Sequence, residues 1–300
     1  MKKRVISAAI MVGLLIVLFI LPKSISYIGI AVVVGLLAAQ SYRELLGLKE
    51  SRNKYPKFIE LLGFICMELM VFHRVNAPLT AFSGVNFMVI GLILLILFIP
   101  SIFDKKGEYT TKDAFYLSGT TISIGLFFNL LMLIYNFNKW ELLYLLAIAT
   151  MTDTFAMLIG CLIGKHKLIP DVSPKKSVEG SIGGSVVGTA IAAILYYNIV
   201  SNQINIFILI LMTLILTILG QLGDLFFSKI KRENKIKDFS NIMPGHGGIL
   251  DRFDSNLNTN FMKIHVFDES MNSTVLLTAV AILISICAVI IFVKRKHAKQ

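Results

Sequence analysis

Five polar residues in the last third of the chain, Asp224, Ser228, Lys231, Lys235 and Asp238, follow one another at steps of four, three, four and three. On a helix those steps line one face, so carboxylates, a hydroxyl and ammonium groups would share a surface. The run just before, 205–222, is apolar, which sets Asp224 at a membrane boundary. A carboxylate there is costly unless it is paired or holds a metal ion. A solvated helix face is the plain alternative, and it suits Lys235 and Asp238 as well as a site does. Next comes Met243-Pro244-Gly245-His246-Gly247-Gly248, followed directly by Ile249-Leu250-Asp251-Arg252-Phe253-Asp254. The glycines let backbone approach a ligand closely and turn its N–H groups toward phosphate oxygens. A helix starting near Ile249 would add its positive end. Asp251 offers hard oxygens to a cation, and Arg252 a fork for phosphate. His246 suits a hydrogen bond or proton to the ligand about as well as it suits a structural place in the loop.

A second cluster lies upstream. Asp153 sits inside the apolar run 141–163, where an ionisable residue is a functional candidate or the partner of a basic residue on another helix. Gly164-Lys165 and Ser173-Pro174-Lys175-Lys176-Ser177-Val178-Glu179-Gly180 follow. Alone, Lys175 and Lys176 would be ordinary membrane-surface lysines. With a Ser-Pro turn, a glutamate and a glycine at the start of a span, they suit an anion-binding loop. Glu60 and Glu68, eight apart, read as packing or cavity-lining residues.

The elements that must position these groups are transmembrane helices. Hydrophobic residues make up 56% of the 300 and charged ones 16%, with a mean hydropathy of +0.76. A soluble domain carries about 45–50% and about 25%. So apolar a chain needs lipid as solvent, and a span takes about 20 residues. Nine candidate spans lie near 5–22, 25–40, 58–75, 82–103, 114–136, 141–163, 181–200, 205–222 and 273–293. The expected fold is all-α and polytopic, one integral membrane domain over 1–300, with polar insertions at 164–180 and 223–272.

The net charge of +11 falls mainly in short loops between apolar runs, which points to orientation in a membrane rather than to nucleic acid. Lys2, Lys3 and Arg4 put the start in the cytoplasm and 5–22 reads as an uncleaved first span. The basic segments 41–57, 105–112, 165–176 and 224–270 then fall on the same side. The last span breaks the alternation by sending Lys294, Arg295, Lys296 and Lys299 outward. The three cysteines, Cys66, Cys161 and Cys287, lie in apolar runs without metal-ligand spacing.

From Ser228 through Met243-Pro-Gly-His-Gly-Gly-Ile-Leu-Asp-Arg-Phe-Asp254, the chain resembles the signature of phosphatidate cytidylyltransferases, also called CDP-diacylglycerol synthases. Asp153-Thr-Phe-Ala, Gly164-Lys165 and Ser173-Pro-Lys-Lys-Ser-Val-Glu-Gly180 match as well, so the catalytic signature region spans about 150–255. The resemblance implies the reaction of CTP with phosphatidate to give CDP-diacylglycerol and pyrophosphate, as a step of phospholipid biosynthesis. It implies magnesium, with Asp224 and Asp251 at the family's metal-binding positions, and leaves room for a second cation and for a homo-oligomer. Asp224, Asp251, Lys231 and Arg232 would be catalytic. Ser228, Lys175, Lys176, Gly245, His246, Gly247, Gly248 and Arg252 would bind substrate. Two departures stand out: the position after Gly160 is Cys161 rather than a basic residue, and a polar stretch, 256–272, precedes the last span. The rivals are a CTP-dependent polyprenol or phytol kinase, which would release CDP, and an inactive homologue that binds lipid or a partner. A transporter would need polar residues near the bilayer midplane in both halves.

Overall fold

The computed structural model describes residues 23–48, 55–73, 87–242 and 247–252, with isolated positions at 13, 17, 19 and 20. The expected ninth span, the polar stretch 256–272, Gly245, His246 and nearly all of the first span lie outside the described residues. Seven helices and one hairpin follow in order: α1 Lys23–Gly47, α2 Lys57–Val71, α3 Phe87–Phe103, α4 Thr111–Phe137, α5 Lys139–Ile163, β1 Lys167–Ile169, β2 Ser173–Ser177, α6 Val178–Ile199 and α7 Ile206–Glu233. Five of these helices, α1, α4, α5, α6 and α7, are long and apolar enough to cross a bilayer, and Met88–Phe103 is a shorter apolar helix.

Seven of the nine expected spans thus correspond to helices among the described residues, five of them of spanning length. Two boundaries move. The span expected at 25–40 continues to Gly47, which removes the mismatch that so short a helix would have with the bilayer. The span expected at 205–222 runs on to Glu233. It stops where Lys235 takes a φ of 57°. There the Ile236 N–H donates to the Lys231 carbonyl at 2.9 Å and the Lys235 N–H to Arg232 at 3.0 Å, a closed C-terminal turn. Asp224, Ser228 and Lys231 therefore share the α7 face, whereas Lys235 and Asp238 leave it.

The fold is mostly helical, as expected, with one short hairpin that the expectation did not include. β1 and β2 pair antiparallel, Lys167 opposite Ser177 and Ile169 opposite Ser173. Strands of three and five residues, rich in lysine and carrying Pro174, offer no alternating apolar pattern to read.

α4 lies at the centre, with most of its length buried. One cluster packs α1, α2 and α3 around it through Ala38, Met67, Leu97, Leu117 and Phe127. A second joins its far end to α5, α6 and α7 through Ile134, Tyr144, Ala192 and Leu216. The outer surface is apolar too. On α1, Ile25, Ile28, Val32 and Leu36 recur at helical spacing and are exposed, opposite the buried stripe Ile30, Val34, Ala38 and Tyr42. Two apolar faces on one helix identify lipid as its solvent, so this is an integral membrane protein.

Without a hydrophobic force between helices, association in lipid depends on close packing and on hydrogen bonds across helices. Tyr144 and Thr213 bridge α5 and α7 at 2.8 Å. Gln221 of α7 donates to Ser185 of α6 at 2.7 Å, and Asn129 of α4 donates to the Val71 carbonyl at 2.9 Å. α6 lays Gly184 and Gly188 on α5, where a methyl at Gly188 would come within 2.6 Å of Thr152 Oγ1 and 3.0 Å of its Cα. Gly188→Ala is expected to cost about 1–3 kcal/mol through overpacking. Gly119→Ala, which has open space around it, should leave stability unchanged. Thermal denaturation in detergent compares the two, and equal melting temperatures would refute this close-packed account of the α5–α6 contact.

Candidate active site

The signature residues gather at one end of the bundle. The end of α1 meets the start of α4, where the Tyr116 hydroxyl donates to the Leu45 carbonyl at 2.6 Å. The end of α7 meets the hairpin, where Arg232 Nε donates to the Val172 carbonyl at 3.4 Å. The end of α1 and the start of α4 are therefore neighbours in space, as are the end of α7 and the hairpin.

α7 supplies Asp224, Ser228, Lys231 and Arg232 because its helical period continues past the apolar stretch into polar sequence. Asp224 and Lys231 stand two turns apart on one face, about 10.5 Å along the axis. Asp224 Oδ2 pairs with Lys176 Nζ of β2, and both side chains stay partly open, at 21% and 25% exposure. Ser228 Oγ donates weakly to Asp224 Oδ1 at 3.4 Å. Lys231 turns to Asp251 instead, with its Nζ 2.7 Å from Oδ1, and this pair is buried, at 10% and 4% exposure. The Lys231 ammonium also lies 5.3 Å from the centre of the Phe239 ring, a cation–π contact.

Asp251 acts as a knot for the loop beyond α7. Its Oδ2 accepts the backbone N–H groups of Phe239 and Gly248, each at 2.9 Å. Gly247 has a φ of +83°, and a Cβ there would come 2.9 Å from Asp251 Oδ2. Conformation and space both call for glycine.

Of the residues expected from sequence, Asp224, Ser228 and Lys176 come together, and Lys231, Asp251, Gly247 and Gly248 form an adjoining group. Arg232, Lys175 and Arg252 are exposed. Arg232 also donates through Nη1 to the Ile236 carbonyl at 3.2 Å, which leaves it at the rim beside the hairpin. Asp153 lies on the exposed face of α5 with Thr150 and Thr154, whose hydroxyls bond back to their own helix. Lys165 and His166 are tied to the start of α6 by Glu179: it accepts the Lys165 N–H at 3.1 Å and sits 2.6 Å from His166 Nδ1.

Sequence reasoning missed Glu44 of α1. Although 4% exposed, its carboxylate accepts the Ile249 and Leu250 N–H groups at 2.9 Å each, the Ser240 hydroxyl at 2.6 Å and Gln40 Nε2 at 3.4 Å. The signal was an acid at the end of an apolar run, Ser41-Tyr42-Arg43-Glu44-Leu45-Leu46, in a segment read only for its basic residues.

These features define a polytopic helical membrane protein whose charged, hydrogen-bonded site sits where several spans end. The sequence from residue 2 to 268 matches the model of the cytidylyltransferase family. The phosphatidate cytidylyltransferase of Bacillus subtilis (strain 168) is 34% identical over 209 residues, covering 68% of this chain and 77% of the relative. Enzymes of the same name from Staphylococcus haemolyticus (strain JCSC1435) and Staphylococcus aureus (strain COL) are each 34% identical, over 215 and 214 residues, covering 70% of this chain and 81% of the relative. The chain belongs to the cytidylyltransferase family, and is therefore a nucleotidyl-transferring enzyme.

Proposed function

We propose that this protein is a phosphatidate cytidylyltransferase, joining CTP to phosphatidate with release of pyrophosphate at the cytoplasmic membrane face. The observation that carries the reading is that Asp224 and Lys231, two turns apart on one face of α7, each meet an opposite charge from elsewhere, Lys176 of β2 and Asp251 of the signature loop. The basic loops neighbouring them support a cytoplasmic site by the positive-inside rule. The lipid phosphate oxygen attacks the α-phosphorus of CTP; a P–O bond forms as the bond to the bridging oxygen breaks, and pyrophosphate leaves. Both reactants are polyanions, so the obstacles are repulsion and alignment, and cations matter more than a protein nucleophile.

Magnesium suits the donor set. A carboxylate has about four lone-pair sites. Among the described residues Asp251 uses three, with Lys231, Phe239 and Gly248, while Asp224 uses two, with Lys176 and Ser228. No three acidic, histidine or cysteine side chains converge as a metal cage among the described residues. Magnesium commonly takes one or two carboxylates and completes its shell with water and substrate phosphates. Asp224 and Asp251 would hold it, and it would neutralise phosphate charge and stabilise the departing pyrophosphate.

The chain's own cations divide the remaining work. Lys176, partly open, is positioned to exchange Asp224 for a phosphate oxygen. Arg232, Lys175 and Arg252 supply exposed charge for the triphosphate and the lipid headgroup. Lys231 holds Asp251 and balances its charge. Within the glycine loop the Gly248 amide is taken by Asp251, so contacts of the loop with the triphosphate would fall to Gly245, His246 and Gly247. The lipid tails of phosphatidate explain why the site adjoins the bilayer.

Purified protein given CTP and phosphatidate in detergent should form CDP-diacylglycerol and pyrophosphate. Chelation of divalent metal should lower the rate by about a hundredfold or more, and added magnesium should restore it. Release of CDP without pyrophosphate would replace this reading with a kinase, and no turnover would favour a binding protein.

A further inference from the structure

Glu44 is 205 residues from Ile249 in sequence, yet its carboxylate accepts three hydrogen bonds from the signature segment, from Ser240, Ile249 and Leu250. Both its oxygens are used: Oε1 accepts from Ile249 N–H, Ser240 Oγ and Gln40 Nε2, and Oε2 from Leu250 N–H. These acceptors lie in a nearly dry environment, where an amide left without a partner costs about 1–3 kcal/mol. Gly248 is shaped around the same carboxylate, because a Cβ there would lie 2.6 Å from each of its oxygens. Three residues beyond Gly248, Asp251 receives Gly248 N–H and Lys231.

We infer that Glu44 is a positioning residue for cytidylyl transfer: its carboxylate fills the amide pocket of Ile249 and Leu250 and so sets where Asp251 stands against α7. This rests on the proposed transferase reading. The argument follows from geometry and charge. Backbone amides at the start of a helical turn attract an anion, and in the glycine loop the expected anion is a nucleotide phosphate. Here the anion is built into the protein, buried, and carried by α1, 205 residues before Ile249. A phosphate would have to displace a carboxylate that accepts four hydrogen bonds. The pocket is therefore a brace, and α1 is linked to the catalytic loop through one side chain.

Replacing one oxygen of Glu44 by an amide turns an acceptor into a donor facing another donor, without changing size. With Glu44→Gln, kcat should fall about tenfold or more, since a misplacement of order 1 Å costs up to about a hundredfold. KM for CTP and for phosphatidate should stay within about threefold, because the buried Glu44 carboxylate is taken up by protein donors. Gly248→Ala, which keeps the charge but pushes the carboxylate aside, should reproduce that kcat loss. The double variant should be no worse than the more impaired single one, since both act through one contact.

Amide hydrogen exchange gives a reading that does not need turnover. Ile249 and Leu250 should lose protection in Glu44→Gln while the middle of α7 keeps it, which also reports whether the variant is folded. Wild-type activity, assayed on the same preparation, tests the transferase reading separately. The inference is overturned if Glu44→Gln keeps wild-type kcat, if the two losses multiply, or if Ile249 and Leu250 stay protected. A lower KM for CTP in Glu44→Gln would also overturn it, since the carboxylate would then have been competing with a phosphate for the pocket.

Discussion

Asp251→Asn should lower both the melting temperature and cytidylyl transfer, and adding Lys231→Met should restore the melting temperature without the activity. The first half follows from burial. Asp251 and Lys231 are 4% and 10% exposed, so removing one charge strands the other in a dry environment. Breaking such a pair from one side costs about 3–5 kcal/mol, whereas replacing both partners by neutral groups of similar volume is often close to neutral. Asparagine can still accept the Phe239 and Gly248 amides through its oxygen, but its NH2 then faces the Lys231 ammonium. Methionine at 231 removes that conflict and preserves most of the side-chain volume. Activity follows a different rule, because transition-state charge needs both the carboxylate and its exact supporting cation in place. The double variant should remain about a hundredfold or more below wild type. Melting temperature in detergent and product formed per folded molecule, measured on wild type, Asp251→Asn and the double variant, decide the matter. If the double variant recovers both quantities, the pair is only a brace and neither residue belongs to the catalytic machinery.

The sequence shows the helices clearly and the contacts between their ends poorly. Long apolar runs announce α4, α5, α6 and α7 because the bilayer demands length and apolarity together. The same uniformity hides the interior: nothing in the apolar composition of α4 says that it is the most enclosed of the five described spanning helices, since residues facing lipid and residues facing protein are alike. The stripe Asp224, Ser228, Lys231 was legible from its period. Its end was not, because a lysine at the left-handed position closes α7 where glycine would usually mark it. The hairpin carried no periodic signal.

Among site residues, the split of the two carboxylates between two lysines could not be read from spacing, because Lys176 arrives from β2 and Asp251 from beyond the loop. The glycine loop was recognised as a place of close approach. What approaches Gly248, however, is a glutamate from α1. Short spacing patterns reveal which residues share a face of one element. They are silent on partners drawn from two hundred residues away, and the pairing of Glu44 with Ile249 is of that kind.

Asp224→Asn should differ from Asp251→Asn in stability while matching it in activity, and that contrast is the sharper test of the site. Asp224 and Lys176 are 21% and 25% exposed, so water can solvate the lysine once its partner is neutral. Partly open ion pairs contribute about 0–1 kcal/mol, and the asparagine oxygen can still accept from Ser228. Melting temperature should therefore change little. Turnover should fall about a hundredfold or more, since the anionic oxygen that would hold the divalent ion is gone. Raising CTP should not restore the rate if the loss lies in the transition state rather than in nucleotide binding. Lys176→Ala provides the complement: it frees Asp224 of its ammonium and should raise KM for CTP while leaving the requirement for divalent metal in place. Normal turnover by Asp224→Asn would remove the carboxylate from the chemistry. Its bridge to Lys176 would then be a contact that fastens the hairpin to α7, and the search for the cation-holding group would move to Asp251 alone.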